Sequence, residues 1–133
     1  MKVMQIGELA RKTSCTVQTI RLYERSGLLK LPSRSAGNYR VYDSEALERL
    51  VFIRQCRALG ISIKEIATLL HRKETPEESC NEVNQLIAKH LLKVQEKICE
   101  LQRLQITLEQ LSNECSGTST IQTCGIFSKL EST

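Results

Sequence analysis

Apolar positions in the first half of the chain recur at helical spacing in short, well-punctuated runs. Within residues 5–12 (QIGELARK), Ile6, Leu9 and Ala10 fall on one face of a short helix. Residues 13–16 read as a turn, and Thr16 suits the N-cap of a second helix, VQTIRLYERSG, which Gly27 closes. Two short helices across a tight turn predict a helix-turn-helix. In LLKLPSRSAGNYRVYD, Pro32, the Gly37-Asn38 pair and the β-prone run 39–42 predict a small hairpin, or wing. Asp43 caps a third helix over about 44–58, with Leu47, Leu50, Val51 and Ile53 facing inward and Gly60 ending it. Ser62 and Glu65 form a capping box that opens a fourth helix, running to about His71.

The second half follows a different rhythm. Residues 72–79 (RKETPEES) are polar and carry two competing caps, at Thr75 and at Ser79. From about Cys80 to Asn113 there is neither Pro nor Gly, and Ile87, Leu91, Val94, Ile98, Leu101, Gln105 and Leu108 are spaced 4, 3, 4, 3, 4, 3. That is a heptad seam with Gln105 as its one polar member. A lone helix of this kind has nothing to bury its seam against, and the simplest partner is a second copy of the chain. Beyond it, Cys115 and Cys124 bracket a loop rich in Gly, Ser and Thr, followed by a short amphipathic tail. The fold class predicted is mainly α. A winged helix-turn-helix DNA-binding domain (1–75) precedes a dimerisation helix (76–113) that pairs as an antiparallel coiled coil, and a metal-binding loop and tail (114–133) end the chain.

Charge divides along the same boundary. Residues 1–75 hold 14 Lys and Arg against 7 Asp and Glu, a net of +7, and residues 76–133 hold 5 against 8, a net of −3. The basic half calls for a polyanionic partner. No stretch reads as a targeting signal or approaches the roughly 20 apolar residues of a membrane span, so the expected location is the cytoplasm, with no membrane partner. In that reducing compartment clustered cysteines point to metal ligation or redox chemistry rather than disulfides, and the six need not share one role. The chain has neither a Cys-x-x-Cys motif beside a βαβ pattern nor an open His/Glu zinc site, which argues against a thiol or zinc enzyme.

Candidate DNA contacts are Gln18, Thr19, Arg21 and Tyr23 on the second helix, Arg34, Tyr39 and Arg40 on the wing, and Arg57 at the end of the third helix. Arg and Tyr hold phosphate oxygens, whereas Gln, Thr and Arg can read base edges in the major groove. Basic residues on both helix and wing distinguish this set from an ordinary solvated face. The runs IGELARKTSCTVQTIRLYERSGLL and RSAGNYRVYDSEALERLVFIRQCRALGISIKEI strongly resemble the N-terminal domain of the MerR family of regulators, over about residues 4–71. The resemblance implies a winged helix-turn-helix, a homodimer and a two-fold symmetric operator in double-stranded promoter DNA. It also implies that Arg21, Tyr23, Arg34, Tyr39, Arg40 and Arg57 are the DNA contacts.

Helix length constrains the cysteines. Roughly 34 helical residues at 1.5 Å each span about 50 Å, so Cys80 cannot share an ion with Cys115 of its own chain. In an antiparallel dimer it would lie beside the partner's Cys115, and the loop could bring Cys124 as a third thiolate. Three thiolates suit soft or borderline ions and discriminate against Mg and Ca. Cys15, Cys56 and Cys99 read instead as small buried or half-buried residues, and His90 sits about 15 Å along the helix from Cys80.

SCNEVNQLIAKH and ECSGTSTIQTCGI also resemble the PbrR/CadR-type branch of the same family. That resemblance implies Cd(II) or Pb(II) bound by Cys80, Cys115 and Cys124. Zn(II) or Hg(II) on the same scaffold is the alternative, since ligand type alone does not separate these ions. The family further implies a regulator that activates with metal bound, acting on RNA polymerase at the promoter.

Overall fold

The computed structural model describes residues 3–132, and among them six α-helices flank a two-stranded hairpin. The described residues divide into two units, one ending at Val83 and the other beginning at Asn84.

In the first unit, α1 (Ile6–Thr13) stops at Ser14, whose left-handed backbone (φ 56°) starts a sharp turn. Thr13 is buried in that turn, and its hydroxyl is satisfied by donating to the Leu9 carbonyl at 2.8 Å. α2 (Val17–Arg25) begins as its sequence dictates, with the Thr16 hydroxyl accepting the Thr19 N–H at 3.0 Å. Gly27 follows at φ 80°, a conformation that costs glycine little, and turns the chain toward the wing.

The wing pairs β1 (Ser33–Arg34) with β2 (Arg40–Val41) in antiparallel register, Ser33 opposite Val41 and Arg34 opposite Arg40. Asn38, at φ 65°, supplies the left-handed residue of its tip. Met4 and Tyr42 exchange both backbone hydrogen bonds, at 2.8 and 2.7 Å, so the start of the chain is stitched to the base of the wing.

α3 (Ser44–Ala58) is capped by Asp43, which accepts the Ala46 N–H at 3.0 Å. α4 (Ile63–Arg72) opens with the full Ser62–Glu65 capping box. Leu9, Ile20, Leu50, Ile53, Ile61 and Ile66 are at most 1% exposed and form the core. Each such burial stabilises the fold by about 1.5–3 kcal/mol. On α3 the inward residues are Leu50, Ile53 and Cys56. Leu47 and Val51, expected beside them, are only half-buried, because 100° per residue carries them round to the flank of that stripe.

α5 (Asn81–Ser112) has 32 residues, about 48 Å of helix, and none of them is buried. Of the two competing caps, the one at Ser79 prevails. The Asn81 N–H donates to its hydroxyl at 3.2 Å, and Cys80 therefore directly precedes the helix. The seam residues Ile87, Leu91, Val94, Ile98, Leu101 and Leu108 are all exposed, and Leu101, Leu104 and Leu108 line an apolar groove with Gln105. The segment expected to be plain loop contains a 3-10 turn (Ile121–Thr123), with the Thr120 and Thr123 hydroxyls 3.0 Å apart, before α6 (Gly125–Glu131). Among the described residues no helix is long and apolar enough to cross a membrane.

Candidate DNA interface and metal site

The helix-turn-helix and the wing bring Arg21 and Arg25 of α2 together with Arg34 and Arg40 of the wing, around a concave patch that Glu24 and Leu31 complete. Arg34 is braced by donating to the Asn38 carbonyl at 3.1 Å, across the wing tip. Glu24 lies on the floor of this patch and is only 8% exposed. It accepts the phenol of Tyr42 and sits 3.5 Å from the Arg40 guanidinium. Burial, and then the neighbouring Glu24 carboxylate, push the Tyr42 phenol well above its ordinary pKa, so it stays a neutral donor.

The remaining predicted contacts are placed less uniformly. Gln18 and Tyr39 are exposed, on α2 and at the wing tip, and neither lines the basic concavity. Thr19 is half-buried, and its hydroxyl shares a 2.8 Å hydrogen bond with that of Thr16. Arg57 is exposed and donates to the Ile61 carbonyl at 3.0 Å, closing the turn between α3 and α4. Tyr23 is 7% exposed and shares the inward face of α2 with Ile20, so its ring packs in the core. Helical period places 20, 23 and 24 together, and here that periodicity outweighs the polar character of the hydroxyl.

Sequence reasoning missed Glu24 and Tyr42. An acid in RLYERSG reads as surface charge, and only the return of the wing over α2 buries it.

Of the three thiols predicted to bind metal, Cys115 and Cys124 both lie in the second unit, at the two ends of one short loop. The Cys115 sulfur accepts the Gly117 N–H at 3.4 Å and lies 3.6 Å from the Ser119 hydroxyl. These groups lower the Cys115 pKa, the Ser119 hydroxyl most, then the Gly117 amide, then Cys124. Cys124 takes the N-cap position of α6 without capping it, which leaves its sulfur for other partners. Two soft donors at the ends of one short loop, one of them favoured as the thiolate, are a donor set suited to a thiophilic ion.

Cys80 belongs to the first unit and is exposed, flanked by Glu78 and Glu82, both of which pair with Arg72. Among the described residues of a single chain, no three His, Cys, Asp or Glu side chains gather as a metal-binding group. Cys15 is half-buried and donates weakly to the Thr13 carbonyl at 3.6 Å. Cys56 is buried in the core, and burial pushes its thiol pKa up. Cys99, expected to be at least half-buried, is exposed, because α5 has no neighbour in the single chain to cover it.

Residues 4–73 match the family of MerR helix-turn-helix regulatory proteins, and residues 47–111 match the MerR DNA-binding family. The crystal structure of the transcription regulator PbrR691 from Ralstonia metallidurans, in complex with lead(II), superposes with a TM-score of 0.81 at 46% identity, over 96% of this chain and 98% of that one. The transcriptional regulator ZntR of Escherichia coli K12 is 37% identical over 96% of this chain and 92% of its own length. The mercuric resistance operon regulatory protein of Bacillus cereus is 34% identical over 95% of this chain and 96% of its own. With its wing, its paired short helices and its single long helix, the chain belongs to the MerR family of helix-turn-helix regulatory proteins.

Proposed function

We propose that this chain is a metal-responsive transcription regulator that binds promoter DNA as a homodimer and senses Cd(II) or Pb(II) through a thiolate site shared between subunits. Each site would take Cys115 and Cys124 from one subunit and Cys80 from the partner, giving two equivalent sites per dimer. The observation that carries this reading is the placing of Cys115 and Cys124 at the two ends of one short loop, with a backbone amide and a hydroxyl turned toward the first sulfur. The 32 residues of α5 support the cross-subunit arrangement. An antiparallel pair of such helices would return a partner's Cys80 to the end that carries the loop.

On the DNA side, Arg21, Arg34 and Arg40 would grip phosphates from helix and wing, with Gln18, Thr19, Tyr39 and Arg57 as further contacts. Homodimerisation would bury the seam of α5 as an antiparallel coiled coil. The protein would occupy its promoter with and without metal. An ion that binds more tightly to the activating conformation shifts the population toward it. The resulting change in DNA bend and twist would realign the promoter for RNA polymerase. Lead(II) is bound by the PbrR691 structure, whereas the Bacillus cereus relative is named for mercuric resistance, so Hg(II) and Zn(II) are the competing effectors.

The test is a titration of the reduced protein on its promoter with Cd(II), Pb(II), Hg(II) and Zn(II), reading thiolate-to-metal absorbance and transcript together. Saturation at one ion per subunit, lost in Cys80→Ser, with Cd(II) or Pb(II) giving most transcript, is the expected result. Wild-type binding and activation by Cys80→Ser would overturn the three-thiolate site.

A further inference from the structure

The two ends of the cysteine loop meet backbone to backbone, and a single glycine permits it. Glu114 is fixed to the end of α5 by its N–H, which donates to the Leu111 carbonyl at 3.0 Å. Gly125 opens α6, whose first turn is tied back to Cys124 by the Ser128 N–H at 3.4 Å. A Cβ added at Gly125 would lie 2.5 Å from the Glu114 carbonyl oxygen, 3.2 Å from the Glu114 Cβ and 3.4 Å from the Glu114 carbonyl carbon. The first of these separations is one that real Cβ atoms do not adopt, and the obstacle is backbone rather than the movable end of a side chain. Gly117, in the same loop, differs in kind. There an added Cβ would meet nothing within 4 Å, and the constraint is its positive φ of 83°.

The position of this contact in the sequence gives it a consequence. Glu114 immediately precedes Cys115 and Gly125 immediately follows Cys124. Closing 114 on 125 therefore closes the pair of sulfurs. Any larger residue at 125 must move the start of α6 away from the end of α5 and carry Cys124 with it.

We propose that Gly125 is the positioning residue of the cysteine loop: its missing side chain lets α6 start against the Glu114 backbone and so holds Cys124 beside Cys115 for a shared thiophilic ion. The ion-binding part rests on the thiolate site proposed above, whereas the closure of the loop does not. Holding two ligands at bonding separation before the ion arrives lowers the ordering cost of binding, which is the general advantage of preorganisation.

The test compares full-length Gly125→Ala with the wild-type protein in two measurements. In a metal-free glutathione redox buffer, Cys115 and Cys124 together give up two electrons and two protons to one glutathione disulfide, forming their own disulfide and releasing two glutathione molecules. Mass spectrometry of the digested protein reads the 115–124 linkage at equilibrium. The other measurement is the affinity for Cd(II) and Pb(II) by chelator competition under reducing conditions. DNA binding by the metal-free protein and its sedimentation coefficient confirm that the remainder of the molecule is intact. A fall of tenfold or more in the disulfide equilibrium constant and in ion affinity, with DNA binding retained, is the expected result. A disulfide equilibrium constant within twofold of wild type would overturn the positioning role. A tenfold fall in that constant with unchanged ion affinity would uphold the closure and overturn the loop as the ion site.

Discussion

The phenol of Tyr42, at the base of the wing, donates a hydrogen bond to the carboxylate of Glu24 on α2, and both residues are buried. Eighteen positions apart in sequence, they join the two elements that carry the arginines of the basic concavity. Arg40, 3.5 Å from the same carboxylate, is thereby aimed as well as charged. The pair fixes the angle between wing and helix, and with it the spacing of the cationic groups that a DNA backbone would meet.

Removing the Tyr42 hydroxyl leaves a buried carboxylate short of its donor. Tyr42→Phe is expected to lower stability by about 1–3 kcal/mol, read from urea unfolding. The pH dependence follows from the raised phenol pKa. Stability from the neutral phenol is fully present below the ordinary phenol pKa of about 10 and declines as pH rises beyond it. Tyr42→Phe should therefore flatten the alkaline fall in stability. An unchanged alkaline profile would count against the Glu24 link.

The arginines of the concavity should act through charge. Arg21→Ala and Arg34→Ala are each expected to weaken promoter binding and to reduce the slope of log K against log salt by about 1. Fluorescence anisotropy across a salt series measures both. Arg40→Ala should cost more than either, because it also strips Glu24 of its cation. Equal effects for all three would show that Arg40 contributes only as a phosphate contact.

Thiol reactivity should separate Cys115 from Cys56. The Ser119 hydroxyl and the Gly117 amide favour the Cys115 thiolate, whereas burial disfavours that of Cys56. In the reduced, metal-free protein at neutral pH, iodoacetamide should modify Cys115 well before Cys56. The rate at Cys115 should stay high as pH falls below the ordinary thiol range of about 8.5. Peptide mass spectrometry after timed quenching gives the order, and Cys56 reacting first would contradict it.

Mixed dimers test whether the site crosses subunits. Cys80→Ser and the Cys115→Ser/Cys124→Ser double variant should each bind no ion tightly as homodimers. Refolded together, they form heterodimers in which one site has all three thiols and the other has none. Tight binding of one ion per heterodimer is expected, measured by titration after tag-based separation. No recovery would deny the three cysteines a common site.

The family and most element boundaries were legible from sequence because their signals are local. The Thr16 and Asp43 caps, the Ser62–Glu65 box and the glycines at 27 and 60 each act within a few residues, and each element starts or stops beside them. The thiol chemistry was legible for the same reason, since residue type alone narrows the ion. The burial of Tyr23 was not legible, because it depends on which face of α2 meets the core. The environment of Cys99 depends on what covers α5, which is exposed along its length in one chain.

Sequence by itself determined the helix-turn-helix, the wing and the long helix, all of which follow from short-range periodicity and capping. Tertiary structure decided what long-range approach alone can create. It buried Glu24 under Tyr42 when the wing folded over α2. It also brought Gly125 against the Glu114 backbone, at the two ends of the loop that carries Cys115 and Cys124. Neither event has a local signature, because an acid becomes a core residue, and a glycine a contact, only when a distant piece of backbone arrives beside it.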